Sequence, residues 1–109
     1  MKIEPNAKLA PLYEDLIKIV GAAFFLSTAF KRWLVKVDMV DIWGKVNKVV
    51  ENEYRYVICY GNIDESNACG TLILLMNNLY EKRDYKSLVN LIEGMLNAYA
   101  EEKNETLSL

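Results

Sequence analysis

The acidic residues of this chain come in pairs, Asp38 with Asp41 and Asp64 with Glu65. Paired carboxylates can share acid/base work or hold a metal. Both pairs, however, stand where a helix is expected to begin, and negative charge there is favoured by the N-terminal end of the helix dipole. Glu53 is the one acid on an otherwise apolar helical face. A buried glutamate of that kind can become a proton donor, but a position at the boundary or beside an Arg or Lys is the commoner fate. Histidine is absent altogether. That removes the commonest general base and metal ligand, and with it the Ser/His, Cys/His and Glu-x-x-His di-iron arrangements. The two cysteines, Cys59 and Cys69, match no zinc spacing and are too few for a disulfide scaffold, so they read as reduced thiols.

Phosphate loops are missing too. Gly21-Ala22-Ala23 has no following Lys-Ser/Thr, and Gly61-Asn62 follows no GxGxxG pattern. These glycines read as a close helix crossing and a helix terminus. The expectation is a chain without catalytic residues, metal site, cofactor or small-molecule substrate.

Basic and aromatic residues do come together, in FKRWLVK (30–36), ENEYRY (51–56) and YEKRDYK (80–86). Lys31, Arg32, Lys36, Arg55, Lys82 and Arg83 could meet phosphates while a tyrosine stacks on a base. Interspersed acids dilute that field, and the formal charge of −2 argues against strong non-specific adhesion to nucleic acid or anionic membrane. An accessory nucleic-acid-binding subunit is therefore the alternative function. The preferred one is a non-enzymatic module that self-associates, as a homodimer, or binds a protein partner through apolar helix surface. Phe25 and Leu74 fall on the polar sides of their helical wheels, and Trp33, Tyr54 and Tyr80 add aromatic bulk that one small core would not fully hide.

The elements that must position these residues follow one period. Over 39–60, apolar residues from Met39 to Tyr60 share one broad sector at about 100° per residue, with Asp41, Lys45, Lys48, Glu51 and Arg55 opposite. Tyr54, Tyr56, Ile58 and Tyr60 also alternate as a strand would, so a small sheet within 34–60 is the minority reading. In 65–82, Ala68, Leu72, Ile73, Leu75, Met76 and Leu79 line one face, opposite Asn67, Gly70, Thr71, Asn77 and Asn78. From Asp84, Tyr85, Leu88, Val89, Leu91, Ile92, Met95, Leu96 and Tyr99 line another. The short link 81–84 makes the last two helices an antiparallel hairpin. Pro11 suits a first helical turn, and IVGAAFFLSTAF, apolar nearly all round, reads as the middle of a buried central helix.

The stretch LYEKRDYKSLVNLIEGML resembles a tetratricopeptide-type helical hairpin over about the last 40 residues, but stands as a single copy, and solenoids need stacked repeats. In size and helicity the chain is also similar to small helical subunits of CRISPR ribonucleoprotein complexes, without a shared motif. Neither resemblance assigns a residue a role.

The expected architecture is an all-α, single-domain four-helix bundle over 1–109, with helices at about 8–34, 38–60, 65–82 and 84–102. At 109 residues and 52% hydrophobic content the chain has room for one core. Its longest uncharged apolar run, Ile19 to Phe30, is short of the roughly 20 residues a membrane span needs. With no apolar leader pattern at MKIEPNAKLAP, a cytoplasmic location is expected. Lys and Glu enrichment without Gln or His is a thermophile-like tendency.

Overall fold

The computed structural model describes residues 4–37 and 65–108, with side chains described for 4–37 and 68–104. The expected helix or sheet at 38–60 and its residues Glu53, Tyr54, Arg55 and Cys59 lie outside the described residues. Every described element is a helix: α1 (Ala10–Val20), α2 (Ala22–Phe25), α3 (Thr28–Lys36), α4 (Glu65–Glu81) and α5 (Tyr85–Ser108).

The N-terminal region is where the expectation fails. A continuous helix over 8–34 is replaced by three short ones. Gly21 takes φ 77°, a conformation that L side chains rarely adopt, and its N–H still closes on the Ile17 carbonyl at 2.8 Å. The chain restarts at once. Ser27 then breaks it again, in extended backbone, and caps α3 by accepting the Phe30 N–H at 3.1 Å while its hydroxyl donates to the Phe24 carbonyl at 2.6 Å. Nothing stands within 4 Å of where a Gly21 Cβ would be, so this glycine serves a helix end and not a close helix crossing.

The two breaks let the chain fold its aromatics inward. Phe24, Phe25 and Phe30 meet as a cluster: Phe25 and Phe30 are edge-to-face at 5.0 Å, and Phe24 and Phe30 lie 5.4 Å apart. Such ring pairs each add roughly 0.5–1.5 kcal/mol beyond the area they bury. A straight helix through the same residues would have spread these rings around its circumference. The cost is exposure elsewhere, since Ile19 and Leu26 remain 58% and 52% exposed. The first helical region is therefore not the buried centre.

That place belongs to α4. Ala68, Gly70, Thr71, Leu72, Ile73, Leu75, Met76 and Leu79 are all buried, so Gly70 and Thr71, expected on a polar side, are enclosed instead. α4 meets α2, α3 and α5, and α3 in turn crosses α5. The core thus runs from the phenylalanine cluster through Leu34 to Met95 on α5.

The α4 to α5 connection is three residues, 82–84. Arg83 adopts φ 60°, and the Asp84 N–H closes on the Leu79 carbonyl at 2.9 Å. Asp84 then starts α5: one carboxylate oxygen accepts the Ser87 N–H at 3.2 Å and the other the Ser87 hydroxyl at 2.8 Å. One turn before the C-terminal end of α4, Asn77 fastens the N-terminal segment. Its Oδ1 accepts the Asn6 N–H at 2.7 Å, and its Nδ2 donates to the Glu4 carbonyl at 2.9 Å.

Candidate functional site

Two surface regions gather the residues that chemistry would use. The first lies between α3 and α5, where Ala29, Arg32, Trp33 and Lys36 face Ala98, Glu101 and Glu102 across a cleft of about 200 Å³. Its wall is set by Trp33. The indole stacks on Phe30 with ring centres 5.9 Å apart and planes 26° from parallel, and it lies close against Gly94. A glycine in mid-helix costs about 1 kcal/mol relative to alanine. Here that glycine leaves the space the indole occupies.

The cleft brings together two expected phosphate contacts, Arg32 and Lys36, and Lys31 is one turn before Val35 on the same helix. Yet Glu101 and Glu102 line the same cleft. Carboxylates at that range weaken the attraction for phosphate that the cations alone would exert. Lys82 and Arg83 lie apart from this group, in the α4–α5 turn. The described basic residues are thus split between two places.

The second region is the outer flank of α5. Tyr85 and Val89, one turn apart, are 52% and 51% exposed, and the Tyr80 ring lies 6.0 Å from Tyr85. Ile92, Leu96 and Tyr99 continue the line, each partly buried against the core. Tyr99 meets Phe24 edge-on at 5.4 Å and carries the Lys103 ammonium 5.6 Å from its ring centre. Of the expected interface residues, Tyr80, Trp33 and Leu74 are half-buried. Phe25 is only 3% exposed and belongs to the core, because the break at Gly21 shifts the helical phase that had put it outside.

Sequence reasoning placed Tyr85 and Val89 on the apolar face of this helix and not among the interface residues, yet both stand half-exposed. A signal was present: apolar residues on α5 from Leu91 round to Val89 span about 160° of the wheel, wider than the roughly 100° stripe of a single core contact.

Tyr13 and Cys69 form the remaining polar contact of note. Burial pushes the Tyr13 hydroxyl up to about 12, with the Cys69 thiolate charge and a hydrogen bond to Cys69 adding to it. A tyrosine held protonated in this way is a structural hydrogen-bond donor over the ordinary pH range. Among the described residues no group of three or more Cys, Asp or Glu could hold a metal ion, and no helix is long and apolar enough to cross a membrane. No protein-family model, curated protein or solved structure matches this chain.

Proposed function

We propose that this chain is a non-enzymatic helical assembly module that associates with itself through the outer flank of α5. The observation that carries this reading is the pair Tyr85 and Val89, half-exposed and one turn apart, beside Tyr80. Aromatic and aliphatic side chains grouped on a surface cost free energy in water, at about 25 cal/mol per Å² of apolar area left uncovered. Covering them on a partner recovers it. The full architecture proposed is a helical bundle of four members: the broken run α1–α3 as one, 38–60 as a further helix, and α4 and α5 as an antiparallel hairpin. The thiol content is that of a cytoplasmic protein.

Light scattering behind size exclusion tests the reading, at low and high salt, with absorbance at 260 and 280 nm on the same peak. A dimer that survives high salt and carries no nucleic acid is expected, since apolar contacts are not screened. A monomer at all concentrations would overturn the proposal. A peak carrying nucleic acid that salt strips away would replace it with the phosphate-binding alternative.

A further inference from the structure

We infer that the occupant of the α5 flank is a second copy of this chain, its α5 antiparallel to the first, with a two-fold axis beside Val89. This rests on the self-association reading and specifies its geometry.

Spacing is the first argument. Tyr85, Val89, Ile92, Leu96 and Tyr99 are separated by four and three residues in alternation, the 3.5-residue repeat of a two-helix seam. Leu88, Leu91 and Met95 run parallel to them on the side that faces the molecule's own core. Exposure falls along the seam. Tyr85 and Val89 are half-exposed, whereas Ile92, Leu96 and Tyr99 are partly covered by the chain itself. The uncovered portion is therefore the Tyr85–Val89 end of the seam.

Charge supplies the second argument, and it selects both the partner and the orientation. Lys86 and Glu93 each follow a seam residue directly, lie seven residues apart on the same flank, and are exposed. The seam's other flank carries Leu88 and Met95, which are buried. In a parallel pair each flank faces the opposite flank of the partner, so Lys86 and Glu93 would meet positions already enclosed in a core. In an antiparallel pair a flank faces its own copy. Lys86 then stands opposite Glu93 of the second copy, and Glu93 opposite Lys86, so the contact is made twice. The midpoint of 86 and 93 falls between Val89 and Asn90, at the inner edge of the exposed end. The charge pair thus places the axis where uncovered seam gives way to covered seam.

The test uses the full chain. Lys86→Glu and Glu93→Lys each set like charges opposite one another twice, and each is expected to raise the dimer dissociation constant about tenfold. The double reversal, K86E with E93K, is expected to restore wild-type affinity. In a Cys59→Ser background, Val89→Cys, next to its own copy on the axis, is expected to form a covalent dimer under mild oxidation with diamide that the background without Val89→Cys does not form. The three α5 positions changed, 86, 89 and 93, are exposed in one chain, and an unaltered far-UV helical signal checks that each variant folds. A wild-type dimer that is indifferent to both single reversals, with a Val89→Cys chain that stays uncrosslinked, would overturn this geometry and leave self-association standing. A wild-type monomer would overturn both.

Discussion

The Trp33 indole lies so close to Gly94 that a Cβ built there would stand 3.2 Å from Nε1. This contact joins α3 to α5 and orients the wall of the cleft that holds Arg32 and Lys36. Two effects oppose each other in Gly94→Ala. Alanine gains about 1 kcal/mol of helix propensity, while the indole must yield by a few tenths of an ångström. The cleft beside the ring gives it room to move, so the expected result is a stability change within about 1 kcal/mol together with a shifted Trp33 emission. A Trp43→Phe background isolates that signal. Gly94→Leu has no such room and is expected to cost about 1–3 kcal/mol by overpacking. An unshifted emission in both variants would show that the indole does not rest on α5.

Phe30 is fully buried and touches the rings of Phe24, Phe25 and Trp33. Phe30→Ala removes three ring contacts and opens a cavity at the α3–α4–α5 crossing. A loss of about 3–5 kcal/mol is expected in urea unfolding. A loss below about 1 kcal/mol would mean that the phenylalanine cluster is not the centre of the core.

How much of this was legible in the residues differs from one helix to the next. α4 and α5 have polar positions on one side, so a period of 3.6 residues has a phase to report, and Leu72, Leu79, Leu88 and Met95 point inward as the period requires. The run from Ile19 to Phe30 has no polar side. A period in such a run carries no phase, and the breaks had to be read from single residues, Gly21 for its positive φ and Ser27 for its capping hydroxyl. Missing those two put Phe25 outside. Thr71 and Gly70 were placed on a polar face because periodicity grades residues by polarity, while α4 is enclosed on that side as well.

Asn77 replaces backbone partners for the N-terminal segment by binding Asn6 and Glu4 at once. Asn77→Ala is expected to lose about 1 kcal/mol of stability and to speed amide hydrogen exchange at Asn6. Asn77→Asp keeps the acceptor and loses the donor, so its exchange rate should lie between the two. Equal exchange in all three chains would show that the segment is held by other contacts, with Leu9 as the first to test.

Tyr13 ionises at about 12 in the folded chain against an ordinary 10.0, chiefly because burial disfavours the phenolate. A raised folded value means that the folded state keeps its proton where the unfolded state has lost it. Stability from this group is therefore complete below pH 10 and is lost as pH rises from about 10 to about 12. Tyr13→Phe removes that dependence. Urea unfolding at about pH 9 and about pH 11 should show a shallower fall for Tyr13→Phe than for wild type. Parallel falls would show that Tyr13 ionises as freely in the folded chain as in the unfolded one.

The central claim is that the exposed flank of α5 joins two copies of the chain, and Val89→Asp tests it most directly. Light scattering behind size exclusion should find wild type as a dimer and Val89→Asp as a monomer with the same far-UV helical signal. An aspartate at this position is solvated in the free chain and desolvated, facing its own copy, in the pair. A Val89→Asp chain that remains dimeric at the wild-type concentration would contradict the account and place the contact between copies on another surface.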